Sequence, residues 1–151
     1  DAKPIYTDSI YGGHGLVWEN KNQLLYVLGF EDLRTYKLLS NNQLKLVNNW
    51  KIPSKSGHDL IQDPMDFNKL ILTESKNVWT FDKKNNTFSV FLPLENKKDV
   101  KSVTIDSNGK LAYTQAHDVE VWWTHQINFL TSQYTITIPN INMYKCRWDV
   151  K

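Results

Sequence analysis

Cysteine is almost missing: Cys146 is the only one in 151 residues, so no disulfide can form within the chain and the redox compartment stays open. Apolar runs are short. None approaches the roughly 18 residues of a membrane helix, and no transmembrane segment is expected. An excess of one charge is also missing, since 18 basic residues face 16 acidic ones for a net +2, spread along the chain. That balance gives no basis for nucleic acid or an anionic membrane as partner. No CxxC, HExxH, GxSxG or glycine-rich phosphate loop occurs, which removes the usual zinc-protease, serine-hydrolase and nucleotide readings. Helical periodicity is absent from every window of about 11 residues.

What remains is hydrophobic at 40% and aromatic at 13%, a composition that favours strands and argues against disorder. Short alternating or apolar runs are separated by polar turns. His14–Glu19, Gln23–Leu28, Leu33–Leu38 and Gln43–Val47 form one such set, joined by Asn20-Lys21-Asn22, Gly29–Asp32 and Ser40-Asn41-Asn42. A second set comprises His58–Gln62, Lys69–Thr73, Asn77–Asp82 and Thr87–Phe91. The third comprises Val100–Ile105, Lys110–Gln115, His125–Leu130 and Tyr134–Ile138, and Pro139 ends it. Pro4-Ile5-Tyr6 is a further short strand candidate.

The sets repeat. Gly13-His14-Gly15 is echoed by Gly57-His58-Asp59, 44 residues later, with weaker echoes at Lys101 and Tyr144. Repeats of 40 to 50 residues, each with four short strands, predict an all-β chain of β-propeller blades. Three blades are expected within one domain, 1–151: approximately 14–52, 58–93 and 100–138, with 143–149 as the first strand of a further blade. A β-sandwich is the alternative for turn-separated strands, although a sandwich has no need for the recurring histidine position.

Gly13–Trp18, Leu25–Gly29, Gly57–Leu60, Val78–Asp82, Val100–Val103, Trp122-Trp123-Thr124 and Tyr144–Trp148 resemble the C-terminal half of bacterial six-bladed β-propeller proteins of a domain-of-unknown-function family. The resemblance covers the chain from about Gly12 onward. It implies a propeller in a protein about twice this length, often exported from Bacteroidetes of the gut, and hence a secreted, periplasmic or cell-surface location. The chain opens on Asp1 without a signal-like segment, as expected of a mature, processed or excised product. Three blades are fewer than a closed ring needs, so a second half-propeller, another copy or an N-terminal half, is the expected partner.

First strands of propeller blades line the central channel, so His14, His58, Lys101 and Tyr144 are expected to converge at its mouth, rimmed by Asp59, Gln115, Trp122 and Trp123. The leading reading is a non-catalytic binding or scaffold domain for a small-molecule, carbohydrate or protein partner. The competing reading is a metal-assisted carbohydrate lyase or hydrolase in which His14, His58 and Glu74 hold a divalent metal. Against the metal stands an architectural role, favoured here, in which each histidine hydrogen-bonds neighbouring loop backbone and fixes the entry to its blade. Adjacent residues of a strand face opposite ways, so one of Trp122 and Trp123 is expected in the core and the other free to stack on a sugar ring. Trp18, Trp79 and Trp148 read as core. Cys146 reads as a small buried residue, and Lys83-Lys84 and Lys97-Lys98 as solvated surface.

Overall fold

The computed structural model describes residues 3–118 and 120–149; the expected span 1–151 and the 116–124 connection are described apart from the remaining positions. Among the described residues twelve strands form three four-stranded antiparallel sheets, each in plain sequence order. The first holds β1 (Gly15–Glu19), β2 (Leu24–Leu28), β3 (Asp32–Leu38) and β4 (Leu44–Lys51). The second holds β5 (Asp59–Gln62), β6 (Lys69–Thr73), β7 (Val78–Asp82) and β8 (Thr87–Val90). The third holds β9 (Val100–Ile105), β10 (Leu111–Gln115), β11 (Gln126–Phe129) and β12 (Tyr134–Thr137). Among the described residues no strand crosses from one sheet to another, as expected of blades and unlike Greek-key sandwiches, whose chains return across sheets. One turn of 3-10 helix, Leu92–Leu94, links the second and third blades.

The local cause is a repeated turn chemistry. Gln23, Asn42, Asn86, Gly109 and Gln133 sit in the left-handed region at the tips of five hairpins, with φ from 48° to 79°. Side-chain acceptors hold two of these tips: Asp82 accepts from the Lys84 and Asn85 amides, and Asp106 from those of Asn108 and Lys110. Between turns, period-2 alternation sends successive side chains into the two interfaces on either side of a blade.

Between the first two blades lies a core of Tyr26, Leu28, Leu33, Leu60, Leu72 and Phe81. Between the second and third lies one of Ile71, Val78, Leu94, Val103, Leu111 and Tyr113. The inner strands meet closely: a Cβ on Gly15 would come within 2.5 Å of the Leu60 Cβ, so the glycine of the first echo is a matter of clearance between β1 and β5. The same spacing recurs in bonds between inner strands. The Val103 amide donates to Asp59 at 3.4 Å, the Cys146 amide to Ser102 at 3.0 Å and the Trp148 amide to Thr104 at 3.0 Å, each across 44 residues.

Four expectations need correction. Pro4-Ile5-Tyr6 forms no strand; the N-terminal segment instead lies over the outer side of the first blade, where Tyr36 donates to Asp8 at 2.6 Å and Arg34 to the Ser9 carbonyl. Residues 143–149, expected as the first strand of a further blade, form no strand; the Cys146 and Trp148 amides instead donate to the side-chain hydroxyls of Ser102 and Thr104 on β9. Trp18 is 44% exposed, since it shares with Leu16 the face of β1 turned away from the second blade. The Lys83 side chain is only 7% exposed and ties the first two blades together, bonding Glu19 and Gln62 at 3.0 Å each.

Candidate functional site

The inner-strand starts converge. The rings of His14, His58 and Tyr144 form a triangle with centroid separations of 6.3, 6.2 and 6.1 Å, and Lys101 Nζ lies 3.0 Å from His58 Nε2. Each comes from a different blade position, so near-constant spacing in the chain becomes proximity only through blade stacking. The C-terminal segment also reaches across to the first blade, where Lys145 donates to the His14 carbonyl.

His58 is buried, with 8% exposure, and its two ring nitrogens are both engaged. An ammonium can only donate, so Nε2 accepts from Lys101 and Nδ1 carries the proton that it gives to the Tyr144 oxygen at 3.1 Å. Burial, followed by the positive charge of Lys101, pushes the His58 pKa down to about 3, which keeps the ring neutral and this tautomer in place. Burial likewise lowers Lys101, against the opposing pull of Asp99. It raises Tyr144 to about 12, with Asp59 adding to the rise. His14, more exposed, is lowered by burial and then by Lys145 and Lys101.

Asp59 lies on the other side of this cluster, buried, with Lys145 at 3.1 Å and Arg147 at 2.6 Å. Trp122 is 63% exposed and meets Tyr144 edge-on at 5.8 Å, whereas Trp123 is half-buried against His125 at 4.8 Å. Gln115 stands apart, donating to the Lys98 carbonyl at 2.7 Å at the end of β10.

Glu74, proposed above as a metal ligand, is fully buried in the turn between β6 and β7. Its carboxylate accepts from the Lys76 and Asn77 amides and from Trp79 Nε1, each at 2.9 Å. Those bonds use the oxygens that a metal would need. Among the described residues no three His, Cys, Asp or Glu side chains are grouped to hold a metal ion. Glu74→Gln is expected to cost about 1 kcal/mol, because the amide nitrogen opposes one backbone N–H donor; a urea melt of the variant checks this, and an unchanged midpoint would contradict the capping role. Cys146 is mostly buried beside Ser102, and burial pushes its thiol up, away from nucleophile behaviour.

Lys145 and Arg147 were missed in the sequence. Their signal was there: they alternate with Tyr144, Cys146 and Trp148, so an inner-strand segment carries two cations on one side.

No protein-family model and no curated protein matches the chain. Among solved structures, an auxiliary nutrient binding protein of Bacteroides thetaiotaomicron VPI-5482 aligns over 85% of this chain with a TM-score of 0.53 and 14% identity. The extracellular domain of a hybrid two-component system of B. thetaiotaomicron aligns over 86%, with a TM-score of 0.53 and 10% identity. A chain of the COPII outer coat vertex on membranes aligns over 86%, with a TM-score of 0.55 and 14% identity. The present chain spans 30%, 18% and 35% of those chains. A nutrient binding protein, an extracellular domain and a coat component are described differently, so what the likeness establishes is the fold that they share with this chain.

Proposed function

We propose that this chain is a non-catalytic ligand-binding module whose seat is the mouth built by His14, His58, Lys101 and Tyr144, with Trp122 as the platform on which a small molecule or sugar ring stacks. The convergence of four inner-strand starts beside an exposed tryptophan carries this reading. The acid–base character of the groups favours binding over turnover. A histidine shifted to about 3 and a tyrosine shifted to about 12 are poorly matched to proton transfer at neutral pH. The two Bacteroides neighbours, described as a nutrient binding protein and an extracellular domain, support an exported location for a domain of this kind.

Titration of the protein with glucose and with glucuronate, followed by tryptophan fluorescence and calorimetry, tests the seat. Trp122→Ala and Tyr144→Phe are expected to weaken whichever sugar binds by about tenfold or more, the scale of a lost aromatic contact or hydrogen bond. Wild-type affinity in both variants would sink the assignment.

A second polypeptide, another copy or an N-terminal half, is proposed to cover the outer face of the first blade, where Trp18 and Leu46 stay exposed in one cross-strand row. Trp18→Glu is expected to weaken that association; for the second-copy version, sedimentation that shows the same monomer for wild type and variant would count against it.

A further inference from the structure

His14 also lines a cleft of about 420 Å³, together with Leu16, Val27, Leu60, Lys145 and Arg147. Its polar groups are unbalanced. Asp59 faces the cleft, but one of its oxygens takes both Lys145 and Arg147 and the other takes the Val103 amide. Asp99 is 3.7 Å from Lys101, and Glu74 is closed within its own turn. Acceptors are therefore committed, while donors are left over. Of the five N–H groups of a guanidinium, Arg147 directs one to the Cys146 carbonyl and one to Asp59. Lys145 uses its ammonium on the His14 carbonyl and the same Asp59 oxygen, which leaves a third N–H.

Counting charges gives the same direction. Of the charged side chains that line the cleft, Lys145 and Arg147 are two cations against the one carboxylate Asp59, an excess of one positive charge. His14, on the lining of the same cleft, is lowered first by burial and then by Lys145 and Lys101, in keeping with that excess. Leu16, Val27 and Leu60 add apolar lining to the same cleft. A guest that fits both sides carries one negative charge and a carbon skeleton.

We propose that this cleft takes a monoanionic small-molecule carboxylate, its carboxylate held by Arg147 and Lys145 and its carbon framework laid along Leu16, Val27 and Leu60. This deepens the ligand-binding reading of the mouth and rests on it. A single Asp59 oxygen shared by two cations holds them in place in advance, so little side-chain order is lost when an anion arrives. Arg147 is the specificity residue because its planar fork matches a carboxylate in two parallel bonds.

The test compares glucuronate with glucose on the full chain by calorimetry, at low and at high NaCl. Glucuronate is expected to bind more tightly, and its affinity to fall as salt screens the pair. Arg147→Gln, which keeps a donor for Asp59 but removes the charge, is expected to weaken glucuronate roughly ten- to a hundredfold, the scale of a charged hydrogen bond. Glucose binding as tightly as glucuronate, or glucuronate binding that is indifferent to salt, overturns the carboxylate assignment while the ligand-binding reading stands. Binding of neither sugar by the wild-type protein overturns both. The salt arm needs no variant, so a misfolded Arg147→Gln leaves the proposal open to refutation; a melt at neutral pH identifies that case.

Discussion

Replacing Phe81 with Ala is expected to lower the unfolding free energy by about 3–5 kcal/mol, the range for emptying a buried aromatic site. Phe81 is fully buried where the first two blades meet, with Trp50 and Phe88 each at 4.9 Å between ring centroids. Those rings come from β4 and β8, so a truncated side chain leaves a gap that neither blade can close alone. Urea denaturation followed by tryptophan fluorescence checks the value. A loss below about 1 kcal/mol, the range of a surface substitution, would show that the blades do not pack through Phe81.

Acidification from pH 7 to pH 5 is expected to cost about 2 kcal/mol through His58 alone. The unfolded ring titrates at its ordinary value of 6.5, while the folded ring is held down to about 3 by burial and by Lys101. Between those values the unfolded chain binds the extra proton, so stability is complete above about 6.5 and is lost as pH falls toward 3. His14, lowered for the same reasons, adds loss of the same sign. The carboxylates lowered by their partners, such as Asp32 beside Lys51 and Arg34, act further down, below about pH 4. His58→Gln separates the two windows, because an amide can accept from Lys101 and donate to Tyr144 without titrating. Melting temperatures of the wild type should fall from pH 7 to pH 5 more steeply than those of the variant. Equal slopes would remove His58 as the source.

The strands of the three blades were legible because strand alternation and turn chemistry are local. Leu44–Val47 reads as β-structure from its own four residues, and Asp82 caps its turn through residues two and three positions away. The exceptions are instructive. Pro4–Tyr6 has strand composition without a partner strand, since Arg34 and Tyr36 hold the neighbouring residues by side chains. Trp18 carries the pattern of a core residue, yet which face of a blade is covered depends on what lies beside that blade. Lys83 reads as a surface lysine until Glu19, 64 positions earlier, is placed next to it.

For the site, the repeat identified His14, His58, Lys101 and Tyr144 together, because one position in each unit begins the inner strand. The sequence by itself thus determined the sheet units and the shared repeat position of His14, His58, Lys101 and Tyr144, both consequences of a backbone period of two and a repeat of about 44 residues. Tertiary structure alone decided what those residues can do. It occupied Glu74 with three donors, set the His58 tautomer between Lys101 and Tyr144, and brought Lys145 and Arg147 onto Asp59 from 86 and 88 positions away. The physical reason is that a hydrogen bond or an ion pair is won in competition among groups within a few ångströms, and the competitors come from blades that only packing makes neighbours.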